Sequence, residues 1–342
     1  MDGGRGRAGR RPTLEEVALR AGVGRGTASR VINGSARVSE HSRAVVEAAV
    51  AELGYVPNPA ARALAAHRTD SVALVVPGHE DRSCGERDFH ELILGVAGAL
   101  AESGMRLLLT LAGSDQERRR AARYLAAHRV DGVLLVSSCP GDPLPGLLAG
   151  MGIPVVADGR RSAGEDLPCV DFDHLAGGRA ATGHLLAHGR RSIAAISGPP
   201  GDYASGCRLE GYRQALRAAG FTPDGQLTEA GDGSEEGGGR AMRALLSRRP
   251  GLDAVFAASD AMAAGAGREL RAAGRRIPED VALVGFGDSV VARHLDPPLT
   301  SVRQPVRDMG REMVRALLAR IAGTGEPGAV VLPTELVVRE SA

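Results

Sequence analysis

The stretch "LRAGVGRGTASRVING", residues 19–34, decides the fold because its glycines allow two opposed interpretations. Gly22, Gly24 and Gly26 resemble a phosphate-binding loop that opens a helix. A dinucleotide fingerprint, however, needs a buried strand before its glycines and a glycine at its third position. Here the preceding "TLEEVALRA" is helical in pattern, and Thr27 holds the third position. The context therefore argues against a nucleotide loop.

The segment around this stretch has the spacing of three short helices. Thr13 and Glu16 form a capping box at the start of the first helix. The apolar periodicity predicts a second helix over 25–32, after the turn "GVG", and a third over about 39–53.

Two helices joined by a tight glycine turn form a helix-turn-helix, the second interpretation of the stretch. An arginine side chain can donate hydrogen bonds to guanine O6 and N7, while hydroxyl groups and helix N-terminal amides can donate to phosphate oxygens. An all-helical cap with a solvated arginine face remains the alternative for an isolated helix pair. The residues that the second helix would expose are Arg25, Gly26, Thr27, Ser29 and Arg30.

Charge is distributed unevenly along a chain of net charge +1. Residues 1–68 contain eleven arginines against six acidic residues, whereas the remainder contains 31 against 35. This asymmetry indicates a polyanionic partner for the N-terminal end alone.

From Ser71 onward, short apolar runs alternate with helical stretches, which predicts a parallel, doubly wound α/β sheet. About 270 residues exceed what one such sheet needs, so two lobes with a cleft are expected. The predicted helices are 89–102, 116–127, 174–187, 209–219, 238–247, 261–271 and 307–322. The predicted strands are "SVALVVP", "MRLLLTLA", "DGVLLVSS", "IPVVADG", "PCVDF", "SIAAISG", "AVFAAS", "VALVGFG" and "TSVRQ".

Several motifs occur together in one order: the "AGV" turn, "TASRVIN", "RVSEHSR", "ELGYVPN", "AARAL", "RLEGYRQAL", "AASDAMAAGA" and "VGFGDSVVARHLDPPLTSV". With them the chain resembles the LacI/GalR family of bacterial transcriptional regulators along nearly its whole length. The resemblance implies an all-α helix-turn-helix headpiece with a hinge helix, followed by a two-lobed periplasmic-binding-protein-like (type I) core.

The domains implied by the resemblance are a disordered basic arm (1–12), the DNA-binding domain (13–57), the hinge helix and linker (58–68) and the effector-binding core (69–342). Within the core, the N-lobe would comprise about 69–170 plus 303–325. The C-lobe would comprise about 171–302 plus 326–342.

For DNA, the resemblance places Arg25, Gly26 and Arg30 at base-reading positions and Thr27, Ser29 and Asn33 at phosphates. Arg30 as a phosphate clamp stays an alternative. Leu64 would be the leucine that the hinge helix inserts into the minor groove. The full set expected to contact DNA is Thr13, Arg25, Gly26, Thr27, Ser29, Arg30, Asn33, Tyr55, Asn58, Ala61 and Leu64.

For the effector, Arg208 matches the family's cleft arginine, with an ion pair to Glu210 as its alternative. Asp173, Asp260 and Asp288 have helix-capping or turn roles as alternatives to ligand contact. His174 stands where asparagine is common, and Gly287 stands where the family often has a ligand-binding aspartate. The residues expected to contact the effector, a sugar or sugar-like polyol by resemblance, are Phe89, Phe172, Asp173, Arg208, Ser259 and Asp288.

The expected assembly is a homodimer on a palindromic operator, without metal or cofactor. A secreted solute receptor is disfavoured because the basic first twelve residues precede no apolar signal segment. An enzyme is disfavoured because no P-loop, HExxH or GxSxG motif occurs. The four cysteines lie far apart, as in a reduced cytoplasmic protein. The expected function is therefore effector-controlled repression of transcription.

Overall fold

A computed structural model describes residues 12–35, 37–56, 69–76, 89–127, 130–136, 142–162, 164, 166–325 and 328–342. One unit spans Met1–Thr69 and a second spans Asp70–Ala342. Residues 1–11 of the predicted N-terminal arm and the predicted hinge contacts Asn58, Ala61 and Leu64 lie outside the described residues.

The described residues of the first unit form three helices, α1 (Leu14–Arg20), α2 (Arg25–Ile32) and α3 (Glu40–Leu53). The capping box predicted at Thr13 is present, and the turn into α2 passes through Gly22 at a φ of 65°. That left-handed conformation favours glycine. A small core forms between the helices from Val17, Ala18, Ala28, Val31, Val46 and Ala49.

The first lobe of the core contains a wholly parallel sheet in the order β11-β5-β4-β3-β1-β2. Helices α4 (Phe89–Glu102) and α12 (Val306–Ile321) cover one face, and α5 (Asp115–Ala126) and α6 (Leu144–Gly150) cover the other. The strands are β1 (Ser71–Val76), β2 (Arg106–Leu111), β3 (Gly132–Leu135), β4 (Val155–Asp158), β5 (Cys169–Phe172) and β11 (Ala329–Leu332).

The second lobe contains a sheet in the order β12-β10-β9-β8-β6-β7, parallel except for the β10–β12 pair. Its strands are β6 (Ile193–Ser197), β7 (Thr228–Ala230), β8 (Ala254–Ala257), β9 (Ala282–Gly287), β10 (Thr300–Arg303) and β12 (Glu335–Val337). Helices α7 (His174–Ala187) and α8 (Tyr203–Ala218) pack on one face, and α9 (Glu235–Arg248) and α10 (Asp260–Ala272) on the other. The short α11 (Val290–His294) follows β9.

The chain passes between the lobes three times, after β5, after β10 and after β11. This arrangement corrects the division expected from sequence, which assigned all of 326–342 to the C-lobe. Residues 329–332 instead form β11 of the first sheet, where they pair with β5 in parallel register. The first passage falls between Phe172 and His174, so residues 171–172 also belong to the first sheet.

Three pairs of helices cross where glycines face each other's backbone. Gly95 of α4 and Gly310 of α12 form one such pair, and a Cβ on either would overlap backbone atoms of the partner helix. Gly178 and Gly211 play the same part for α7 and α8, as do Gly238 and Gly265 for α9 and α10. The glycines therefore set how closely the helices that cover each sheet approach one another.

None of the helices in the described part of the chain is long and apolar enough to cross a bilayer.

Candidate functional site: a DNA-reading helix and an interlobe cleft

Helix α2 has one face in the headpiece core and the other in solvent. Ala28 and Val31 are buried, while Arg25, Gly26 and Arg30 are exposed. Helix α2 thus has the two faces that a recognition helix needs, one for packing and one for a groove.

The two arginines of α2 differ in their surroundings. Arg25 Nε lies 3.1 Å from Glu15 Oε1 of α1, and both side chains are more than half exposed. A Cβ added to Gly26 would lie 3.7 Å from Nη2 of Arg30. The Arg30 guanidinium therefore lies over the first turn of the helix, within van der Waals contact distance of position 26.

The remaining polar residues proposed for DNA lie around this helix. Thr27 and Ser29 are half-buried on α2, and the Asn33 side-chain amide donates to Ser29 Oγ at 3.3 Å. The Thr13 hydroxyl accepts from the Glu16 amide at 3.3 Å as the cap of α1. Tyr55 is half-buried and packs against the headpiece core after α3. Their contacts with DNA remain predictions.

In the second unit, Arg208 lies in α8, and the described contacts of its guanidinium include two hydrogen bonds and an aromatic ring. Its Nε donates to His174 Nδ1 at 3.2 Å, and its Nη1 donates to the carbonyl of Ala258 at 2.6 Å. Its Cζ lies 4.0 Å from the centre of the Phe286 ring, a cation–π contact. The alternative partner Glu210 instead pairs with Arg217 at 3.0 Å.

His174 connects Arg208 to a buried carboxylate. The ring is 3% exposed, and its Nε2 lies 3.2 Å from Oδ1 of Asp171. Burial opposes ionisation of Asp171, yet the His174 ring and the backbone amides of Phe172 and Arg160 together hold the pKa of its carboxyl below the ordinary value. Asp171 is therefore a carboxylate at neutral pH.

Two residues predicted to contact the effector are helix caps. Asp173 Oδ1 accepts from the Ala176 amide at 2.8 Å as the N-cap of α7. Ser259 Oγ accepts from the Met262 amide at 3.2 Å as the N-cap of α10. Asp260, expected as a possible cap, is instead the first residue of α10.

The Asp260 and Asp288 carboxylates are buried and fully engaged in a network between β9, β10 and α10. Asp260 accepts from Ser301 Oγ at 2.6 Å and from the Ser289 amide at 2.7 Å, and burial raises the pKa of its carboxyl. Asp288 pairs with Arg303 at 2.8 Å and with Arg339 at 2.5 Å. This arrangement favours the structural role for both aspartates, because their oxygens already have partners.

The two aromatic residues proposed to stack on a ligand are placed differently. Phe172 is 3% exposed and packs in the first-lobe core, which argues against a stacking role, and its contact with a ligand stays a prediction. Phe89 is half-buried at the start of α4. Sequence reasoning missed Phe286, whose ring carries the Arg208 guanidinium, because its inward position became evident only in the sheet.

Two further features lie between the lobes. The side chain of Arg160, after β4 of the first lobe, hydrogen-bonds Tyr203 at the start of α8, which raises the pKa of the guanidinium.

A cavity of about 220 Å³ lies at the passage from β10 to α12 and reaches Glu91, Gly287, Asp288 and Gln304. At Gly287 φ is 127°, so any residue with a side chain would be strained on this backbone.

Models of known families match both parts of the chain. One described as "Bacterial regulatory proteins, lacI family" matches residues 13–58, and one described as "Periplasmic binding protein-like domain" matches residues 182–342.

Among curated proteins, the HTH-type transcriptional regulator CelR of Thermobifida fusca is 52% identical over 335 residues, which cover 97% of this chain and 98% of CelR. The ribose operon repressor of Escherichia coli (strain K12) is 35% identical over 312 residues, or 90% of this chain and 93% of the repressor.

Among solved structures, a complex of CelR with cellobiose is 51% identical with a TM-score of 0.75, covering 97% of this chain and 100% of that chain. The Lac repressor dimer bound to operator and the anti-inducer ONPF is 27% identical with a TM-score of 0.82, covering 97% and 99%.

Proposed function

The chain belongs to the LacI family of bacterial regulatory proteins and is a DNA-binding transcriptional regulator; from this premise we propose that it is a cytoplasmic repressor that binds a palindromic operator as a homodimer. We further propose that its effector is a sugar of the cellobiose class, a β-linked glucose disaccharide, bound between the two lobes.

The exposed face of α2 is the observation that supports DNA reading. Arg25 and Arg30 point away from the headpiece core, on a helix whose opposite face is packed. Their pairing with nearby groups is loose enough to exchange for guanine edges or phosphates, because exposed ion pairs contribute about 0–1 kcal/mol. A second copy of the helix, related by a two-fold axis, would read the other half-site.

The effector assignment is supported by the identity to CelR, whose complex with cellobiose has been solved. Arg208 offers a fork of N–H donors beside the aromatic ring of Phe286. Such a fork donates to sugar hydroxyls, and aromatic rings pack against the apolar faces of pyranose rings. The glycine at position 287 leaves space where a side chain would otherwise limit ligand size.

The proposal also assigns the protein no catalytic activity. The described polar groups of the cleft serve as caps, ion pairs or donors, which suits binding.

The test uses purified full-length protein and the duplex upstream of its own gene. We expect specific binding that weakens steeply with salt, because arginine–phosphate contacts release counterions. Cellobiose should change operator affinity at least about tenfold, a coupling typical of allosteric regulators, whereas glucose and sucrose serve as controls.

Equal affinity for the upstream duplex and a scrambled duplex at moderate salt would contradict the DNA assignment. A monomer at operator-binding concentrations in sedimentation experiments would contradict the dimer. Operator binding that is unaffected by every glucose disaccharide would contradict the effector class alone.

A further inference from the structure

The cleft arginine is held by a chain of polar contacts that begins in the other lobe. Asp171 lies on β5 of the first sheet, His174 opens α7 directly after the chain has passed between the lobes, and Arg208 lies on α8 of the second lobe. The contacts Asp171–His174 and His174–Arg208 are both 3.2 Å. One imidazole therefore bridges a carboxylate of one lobe and the proposed sugar-binding group of the other.

The donor pattern fixes the protonation state that this bridge requires. A guanidinium Nε can only donate, so His174 Nδ1 must be the unprotonated acceptor. In the neutral ring, the proton then resides on Nε2, which faces the Asp171 carboxylate.

Two aromatic rings also lie near the imidazole. Phe172 lies edge-on with ring centres 6.1 Å apart, and Phe286 of β9 lies at 5.9 Å. The backbone amide of Arg160 reaches the other oxygen of Asp171 at 3.4 Å. The further titratable groups of β4, β5, α8 and the β4–β5 loop are Asp158, Cys169, Tyr203 and Cys207, together with the side chain of Arg160.

Protonation of His174 would turn its favourable contact with Arg208 into a repulsive one. A proton on Nδ1 places two donors face to face, and it places two positive charges at hydrogen-bond distance inside a buried site. The guanidinium would retain the Ala258 carbonyl and the Phe286 ring but lose the group that orients its Nε.

We propose that His174, oriented by Asp171, is a positioning residue that holds Arg208 for the effector only while the imidazole is neutral, so that effector affinity falls in acid. This inference rests on the proposed function, because Arg208 is taken as the sugar-binding arginine.

The test measures cellobiose affinity by titration calorimetry of the full-length protein between about pH 7.5 and 5.5, the range over which imidazoles titrate. We expect an affinity loss on the order of tenfold for the wild type across this range. In His174→Asn, cellobiose affinity should hardly change with pH. In Asp171→Asn, the loss of cellobiose affinity in acid should occur at lower pH, because removal of the negative partner disfavours the imidazolium.

His188→Gln is the matched control, since His188 is an exposed histidine at the end of the same helix. It should keep the wild-type profile. The inference would be overturned if cellobiose affinity of the wild type did not change with pH, or if the loss of affinity in acid persisted in His174→Asn.

Two measurements separate this inference from the proposed function. If Arg208→Ala binds cellobiose as the wild type does, the effector assignment of Arg208 fails. If Arg208→Ala abolishes binding while His174→Asn keeps wild-type affinity and profile, only the role of His174 fails. Independently of any sugar, the nitrogen-15 shifts of the His174 ring at neutral pH must report a proton on Nε2, and a proton on Nδ1 would overturn the inference.

Discussion

Arginine side chains at two sites carry the proposed activity. The Arg30 guanidinium lies over the first turn of α2 beside Gly26, and His174 accepts the hydrogen bond of Arg208. At the effector site, the neighbouring histidine orients the Nε edge of the guanidinium. Specificity at this scale thus depends on the partners of the arginines as much as on the arginines themselves.

Arg25→Ala should relax base preference at one symmetric operator position and cost about 1–3 kcal/mol of specific binding, because a bidentate guanine contact is lost. Selection from a randomised operator library measures this preference. Thr27→Val is the comparison, since loss of a phosphate contact should weaken binding to all sequences about equally. An unchanged preference in the Arg25 variant would reject its base-reading role.

Asp171 should contribute to stability in a pH-dependent way. Its carboxyl has a lowered pKa in the folded protein, so the stabilisation is present above the pKa of the unfolded chain and is lost as the pH falls through the folded value. The difference in unfolding free energy between wild type and Asp171→Asn should therefore be present at neutral pH, persist down to about pH 5 and narrow below about pH 4. Urea denaturation at several pH values measures it.

Glu102→Gln, at the exposed end of α4, is the control for this experiment and should match wild type at every pH. If the difference in unfolding free energy between wild type and Asp171→Asn stays constant as the pH falls to the point of acid unfolding, then ionisation of Asp171 does not contribute to stability.

At the level of secondary-structure elements, paired glycines set the distance between helices that cover each sheet. The backbones of α4 and α12 approach so closely at Gly95 and Gly310 that no Cβ fits. Gly98, three residues further along α4, has no atom within 4 Å of where its Cβ would be. One helix therefore contains both a glycine that packing requires and one that it does not.

Gly95→Ala should destabilise the second unit by about 1–3 kcal/mol or more, because the new methyl group overlaps the backbone of α12. Gly98→Ala should instead stabilise it by about 0.5–1 kcal/mol, the usual advantage of alanine in a helix interior. Thermal and urea unfolding of the two variants provide the comparison. Equal effects of the two substitutions would refute the close approach.

Element boundaries could be predicted from sequence where local chemistry marks them. The start of α1 at Thr13 follows its capping box, and α7 follows the capping Asp173. Helix α8 begins at Tyr203, six residues before the predicted start, because the glycine- and serine-rich "GDYASGC" hides the cap at Asp202. Strand β11 was missed although its four residues, AVVL, are all apolar, because a run this short can also be read as loop.

The effector site could be predicted only in part for a different reason. The motif singled out Arg208, but its partners His174, Ala258 and Phe286 come from three distant segments. Their convergence depends on tertiary packing, which periodicity does not encode. The same holds for the burial of Phe172, since a strand residue can face either the core or the cleft.

At the scale of the whole molecule, regulation requires that the effector site and the DNA-binding unit be energetically linked. Arg208→Ala should abolish the change in operator affinity caused by cellobiose while leaving affinity in the absence of sugar intact, because the arginine belongs to the second unit alone. Fluorescence anisotropy of a labelled operator, with and without sugar, measures both quantities.

Arg213→Ala is the control on the same helix, since this partly exposed arginine lies 4.0 Å from Glu210. It should respond to sugar as wild type does. A normal sugar response in Arg208→Ala would remove that residue from the effector site.

The three passages between the lobes have a consequence for any attempt to divide the gene. Each lobe is assembled from chain segments that are interrupted by the other, and β11 returns to the first sheet after the second is nearly complete. No single cut yields an intact half. Chimeras that exchange sugar preference between such regulators must therefore transplant residues 70–342 as one block, and a fragment ending after β10 would lack α12 and β11, which its first lobe requires.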